Sequence, residues 1–190
     1  FVAFAASFAI LLWIWHVHYL FFRRYGLQDR FTKTMNAILL FVVLFYVYPL
    51  KFVFTNVISL YSSGPESVIL RDGSVAPIIQ QGDPSRMMVI YGVGFIAVFL
   101  VYTLLYVNAY RKRDELRLSE LETELTKMGL RQYVICMIVG GISIAVAFFG
   151  GDGYASLSGI SYGLLGPFLA IHGFMSGKKI DQIREKMNLA

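Results

Sequence analysis

Five runs of mostly apolar residues, at about 1–22, 35–60, 87–110, 132–150 and 154–175, are separated by segments in which the charged residues concentrate. A helix that crosses the hydrocarbon core of a bilayer needs roughly 20 such residues. Each run therefore predicts a membrane-spanning helix, and the chain as a whole predicts one all-α membrane domain over residues 1–190, a polytopic helical bundle. The 111–131 connection, "RKRDELRLSELETELTKMGLR", keeps Leu116, Leu118, Leu121, Leu125 and Met128 among charged neighbours. That pattern predicts a solvated helix that continues the third span and docks on its own protein, since two or three turns are too few for a separate coiled coil. The 61–86 segment is rich in Gly, Pro and Ser, and its short stretch "SVILRDGSVAPII" predicts a hairpin or a small helix. Pro49 predicts a kink in the second span, of the kind membranes tolerate.

Composition agrees with the pattern. The chain is 57% hydrophobic and only 15% charged, against about 25% charge in a soluble domain. The net charge of +5 would suit nucleic acid if the basic residues formed a patch, but they follow the topology instead. Arg23, Arg24, Arg30 and Lys33 lie in the first connection, six Lys and Arg residues lie in 111–131, and Lys178, Lys179, Arg184 and Lys186 lie in the 176–190 tail. The 61–86 loop holds only Arg71 and Arg86, and the 151–153 turn holds none. Lys and Arg are enriched in cytoplasmic connections, so the basic segments and the C-terminal tail are expected in the cytoplasm and the 61–86 loop outside, with no nucleic-acid partner. On that reading Phe1 starts on the outer side. Because it stands inside an apolar run without the basic n-region of a signal peptide, one more helix is expected upstream, giving five spans here of six with both ends inside.

Polar groups at membrane depth are costly unless partnered and by default face a bundle interior. Helical geometry turns about 100° per residue, which places Ser7, Leu11, Trp15, His18 and Phe22 on one stripe of the first span, with His16 on the other side. Asn36 opens the second span at a similar depth. Ser7, Trp15, His18 and Asn36 are therefore the candidate polar network, completed by a carbonyl, a water or a helix outside this sequence, since the five spans hold no Asp or Glu. Trp13, His16 and Tyr19 suit an interfacial aromatic belt instead.

The remaining candidates carry less. Gly159 and Gly163, at small-xxx-small spacing, predict a helix-packing face. Cys136 sits in an apolar run and reads as a packing residue, and Lys51 can snorkel to the headgroups. His18 and His172 stand at matched depth and could ligate a haem between them, but a single His pair arises easily by chance. No cofactor or metal is expected. "GGDGYASLSG" lacks the Lys of a phosphate loop and reads as a tight turn between spans. Nothing pairs a nucleophile with a base, or one carboxylate with another at catalytic spacing, so the chain is not expected to be an enzyme.

Ser7-Phe8, then Trp15, His18 and Phe22, the basic loop with Asp29, and the run "NAILLFVVLFYVYPLKF" led by Asn36 resemble the second and third helices of the transmembrane protein 175 family of endolysosomal and bacterial potassium channels. The resemblance covers residues 1–60. Beyond them it rests on the order of spans and on "YRKRDEL" after the third run. It implies six helices per unit with both ends cytoplasmic, a pore-lining first helix bearing an Arg-x-x-x-Phe-Ser-Asp motif, and Trp15, His18 and Asn36 as that helix's hydrogen-bond partners. No Phe-Ser-Asp occurs in this chain, so pore and gate residues are not assigned. The expected function is potassium conduction through an oligomeric pore in a bacterial inner membrane. The alternative is a non-conducting scaffold or accessory subunit. The partners expected are the lipid bilayer and either further copies of the chain or other membrane subunits.

Overall fold

A computed structural model describes residues 2–61, 67–69, 75–77, 84–151 and 154–188. The chain runs through α1 (Val2–Tyr25), α2 (Arg30–Tyr61), a two-stranded antiparallel ribbon of β1 (Ser67–Ile69) and β2 (Val75–Pro77), α3 (Pro84–Arg111), α4 (Glu120–Gly150), α5 (Ala155–Ser161), a 3₁₀ turn (Tyr162–Leu164) and α6 (Leu165–Asn188). Val68 pairs with Ala76 at the ribbon's centre. Five helices, taking α5 and α6 as one interrupted unit, are long and apolar enough to cross a membrane. Asp152 and most of the 61–86 loop lie outside the described residues.

Helix boundaries follow local chemistry. Gly26, at φ +58°, ends α1 in the left-handed conformation that glycine adopts without steric cost, and its amide still donates to the Phe22 carbonyl at 2.9 Å. Asp29 starts α2: its carboxylate accepts from the Thr32 hydroxyl at 2.7 Å and from the Thr32 amide at 3.4 Å. α2 continues past Pro49 without ending.

The leucine-bearing connection departs from expectation. α3 stops at Arg111, and the helical part of 111–131 belongs to α4, beginning at Glu120. Two signals separate them. Arg117 takes φ +51°, which ends helical continuity, and Ser119 with Glu122 forms a reciprocal capping box that satisfies the first orphan amides of a new helix. The segment is thus a turn followed by the start of α4.

The last span is also interrupted. Pro167 has no N–H with which to continue the helical ladder from Gly163, and the chain tightens to 3₁₀ geometry at Tyr162–Leu164 just before it.

α3 and α4 make the most extensive helix pair, with α2 against α3 and α1 against α2 beside them. The core between α1, α3 and α4 is aromatic: Phe21, Tyr25, Phe99, Tyr102, Tyr106 and Tyr133 interlock with Leu105 and Cys136. Cys136 is buried there as a packing residue. The Tyr102 hydroxyl donates to the backbone carbonyl of Ile14 at 2.6 Å, and the Tyr25 hydroxyl pairs with Thr126 Oγ1 at 2.7 Å. Each ring thereby buries its apolar body while its polar tip finds a partner. Ser143 and Ser158 join α4 to α5 reciprocally, each hydroxyl donating to the other's carbonyl at 3.0 and 2.9 Å.

Glycines matter at positions other than those expected. A Cβ at Gly129 would stand 2.6 Å from Tyr106, and one at Gly140 would stand 2.9 Å from Ile96. Gly94 lies against the ring of Tyr46 in the same way. Gly163, in contrast, has nothing within 4 Å, and Gly159 meets only Met88 at 3.4 Å. Gly159 and Gly163 therefore form no packing face within this chain. Gly159 lies in α5 and Gly163 in the 3₁₀ turn that follows it, so the spacing of an uninterrupted α-helix does not apply.

Candidate functional site

The buried stripe of α1 runs Ser7, Ile14, Phe21, Tyr25, a near seven-residue repeat of the sort that helices packed at a shallow angle use. His18 sits on its margin toward α2. There its Nε2 donates to Asn36 Oδ1 at 2.5 Å, and its ring packs on Phe22 at 4.8 Å between centroids. One hydrogen bond thus ties α1 to α2 near the basic end of the bundle. An amide oxygen and an imidazole N–H satisfy each other where an unpaired polar group in hydrocarbon is expensive.

The other two members of the sequence-derived network stand apart from this pair. Ser7 is buried, but its hydroxyl donates to the Ala3 carbonyl of its own helix at 2.8 Å, a back-bond that removes the need for an outside partner. Trp15 is 61% exposed and stacks on Tyr19 at 5.9 Å. Ile14 points into the core, and the next residue is turned about 100° from it, so Trp15 looks out of the chain along the edge that also carries Phe4, Phe8 and Leu12. Within the chain the four residues do not join into one network. They form the His18–Asn36 bond, a self-satisfied serine and an outward-facing indole. His172 is placed 3.4 Å from Ser176 Oγ through Nε2. Both histidines proposed as a haem pair thus have their Nε2 atoms engaged by neighbouring side chains. Lys51 is exposed on α2.

A second polar cluster was not anticipated. Asn108, near the end of α3, donates to Asp29 at 3.3 Å and to Thr32 Oγ1 at 3.1 Å, and Lys112 lies 3.8 Å from the Asp29 carboxylate. Thr32 is fully buried. Partial burial pushes the Asp29 carboxyl upward. The hydrogen bonds from Thr32 and the charge of Lys112 outweigh that and hold it below the ordinary carboxylate value. The only sequence trace of this cluster is an Asp three residues before a Thr at a helix start, the N-cap signature. Its α3 partners, 79 positions away for Asn108, leave none.

The chain is 35% identical over 181 residues to a protein of Marivirga tractuosa named as a potassium channel, a match that spans 94% of this chain and 73% of that protein. Its fold is similar to that of a variant of the potassium channel MtTMEM175 solved in complex with a nanobody–MBP fusion protein. The TM-score is 0.74 and the identity 34%, over 93% of this chain and 77% of that one. No protein-family profile matches the chain.

Proposed function

The chain belongs to the transmembrane protein 175 family of potassium channels, as its 35% identity over nearly its whole length to a potassium channel and its likeness to MtTMEM175 establish, and from that premise we propose that it conducts potassium through a pore assembled from several copies. It is an integral membrane protein of channel type. The observation that carries the oligomeric pore is the packing of the bundle itself. Phe21, Tyr102, Leu105 and Tyr133 fill the space between α1, α3 and α4, and an ion crossing a bilayer needs a hydrated or gated constriction. A bundle closed by aromatic rings supplies none along its own axis, so the path runs between copies.

The edge of α1 that bears Trp15 is the one we assign to a neighbouring helix, with the His18–Asn36 bond holding α1 and α2 as a rigid pair beside it. The indole N–H of Trp15 is a donor and would bond an acceptor on that neighbour. On the excess of Lys and Arg at the basic ends of the helices we assign those ends to the cytoplasm, with the C-terminal tail on the cytoplasmic side of a bacterial inner membrane.

Reconstitution of the intact protein into potassium-loaded liposomes tests the reading. Potassium efflux above that of protein-free vesicles, together with cross-linked species larger than one copy, is the expected result. Absence of flux from vesicles in which the protein is inserted and folded overturns it.

A further inference from the structure

A cleft of about 440 Å³ opens at the basic end, between the turn after α3, the first turns of α4 and the last turns of α6. Four cations line it, Arg113, Lys127, Lys179 and Lys186, against three carboxylates, Asp114, Glu120 and Glu124. Glu124 is the centre of the arrangement. Its side chain is 8% exposed, and it is shared among Arg131 at 2.6 Å, Lys179 at 3.0 Å and Lys127 at 4.0 Å. One carboxylate cannot neutralise three cations. With Arg131 included, five cations face three carboxylates, and Lys127, Lys179 and Lys186 all line the cleft. Lys186 has no acidic partner among the described residues.

Depth identifies the occupant. Arg131 immediately precedes the apolar run of α4, and Lys178 and Lys179 immediately follow that of α6, so the floor of the cleft lies at the headgroup level of a bilayer. Met175, Lys179, Gln182 and Lys186 recur at i+3 and i+4 and therefore share one face of α6. On that face Met175 is 67% exposed one turn deeper than Lys179, and Ile183 and Leu118 give the cleft apolar walls. A cationic cleft opening onto an apolar strip suits a phosphate joined to an acyl chain. A soluble phosphate needs only the first.

We propose that this cleft binds the phosphate of an anionic membrane lipid, held by Lys127, Lys179 and Lys186 with its acyl chain along Met175, while Arg131 holds the Glu124 carboxylate in place. The site goes beyond the conduction reading and does not depend on it.

The test uses the intact protein in detergent, titrated with phosphatidylglycerol, with phosphatidylcholine at equal mole fraction, and with inorganic phosphate, reading melting temperature and lipid retained in native mass spectrometry. Phosphatidylglycerol is expected to be retained and to raise the melting temperature, and neither of the other two to do so. Lys127→Gln with Lys186→Gln removes two surface-level cations and is expected to weaken retention roughly thirty-fold. Arg30→Gln with Lys33→Gln, at the same end of the molecule but outside the cleft, is expected to leave retention unchanged. Should the lipid-free cleft variant melt below the wild type, Lys186→Gln alone is compared with Lys186→Arg, which restores the charge and is expected to restore retention. Equal retention by the cleft variant and the wild type overturns the proposal, as does an equal loss in both double variants, which would mean bulk charge. Stabilisation by inorganic phosphate to the same extent overturns the lipid as the source.

Discussion

His18 Nε2 lies 2.5 Å from Asn36 Oδ1, a hydrogen bond that joins α1 to α2. Because the amide oxygen is an acceptor only, the proton resides on Nε2. Removing His18 leaves the Asn36 oxygen unpaired where water is scarce, at a cost of about 1–3 kcal/mol. His18→Ala is therefore expected to melt several degrees below wild type and to weaken assembly. His16→Ala, on an exposed part of the same helix, is expected to stay within about 0.5 kcal/mol. The double variant His18→Ala/Asn36→Ala is expected to lose less than the sum of the single ones. Equal melting temperatures for the His16 and His18 variants would remove the structural role of the bond.

Asp29 combines a cap with a charge, and two substitutions separate them. Asn also caps helices well, so Asp29→Asn keeps the bond to Thr32 and loses the attraction to Lys112. Asp29→Ala loses both and is expected to cost about 1–2 kcal/mol. The folded carboxyl lies below its ordinary value, so folding favours the ionised form. The stability it adds is complete above the ordinary value and disappears as pH falls through the lower folded one. Wild-type melting temperature is thus expected to drop below about pH 4, with a shallower drop in Asp29→Asn. Parallel pH profiles would refute this.

Glycine substitutions distinguish real close approaches from apparent motifs. At Gly94 an added methyl meets the ring of Tyr46, which is 2% exposed and packed on Tyr91, so the ring has nowhere to move. Gly94→Ala is expected to cost about 1–3 kcal/mol by overpacking. Gly163→Ala meets open space and is expected to be neutral within the isolated chain. A melting-temperature loss at Gly163 matching that at Gly94 would locate a contact made by another copy at the 3₁₀ turn.

The Ser143–Ser158 pair fixes α5 against α4. Ser143→Ala deletes the hydroxyl that donates to the Ser158 carbonyl, while Ser158 Oγ still reaches the Ser143 carbonyl. The expected loss is therefore modest, about 0.6 kcal/mol as for typical membrane hydrogen bonds. Ser143→Leu, forced into a fully buried position, is expected to unseat α5 and to expose it to limited proteolysis. Unchanged proteolysis of the Leu variant would show that other contacts hold α5.

The apolar runs made the number and order of the long helices readable, because bilayer thickness imposes a length that no other feature imitates. The register inside those helices was less readable. A stripe drawn at about 100° per residue admits Trp15 with Ser7. The chain instead buries Ser7, Ile14, Phe21 and Tyr25, since the partner helix selects among adjacent stripes and the helix's own sequence does not. His18 and Asn36 were legible as polar residues at matched depth on consecutive helices. The Asp29 cluster was not, because Asn108 and Lys112 reach it from the far end of α3. The start of α4 was written locally, in Ser119 and Glu122, and was masked by the leucines around it, whose periodicity runs across the break.

The bond from the Tyr102 hydroxyl to the Ile14 carbonyl sets a rule for movement. Its 2.6 Å length leaves no room for axial slip of α1 along α3, since a shift of one residue, about 1.5 Å, would part the two atoms. Swinging about that point is not forbidden in the same way. A slide of α1 along α3 therefore costs this bond, about 1 kcal/mol, whereas a swing of α1 about Tyr102 keeps it.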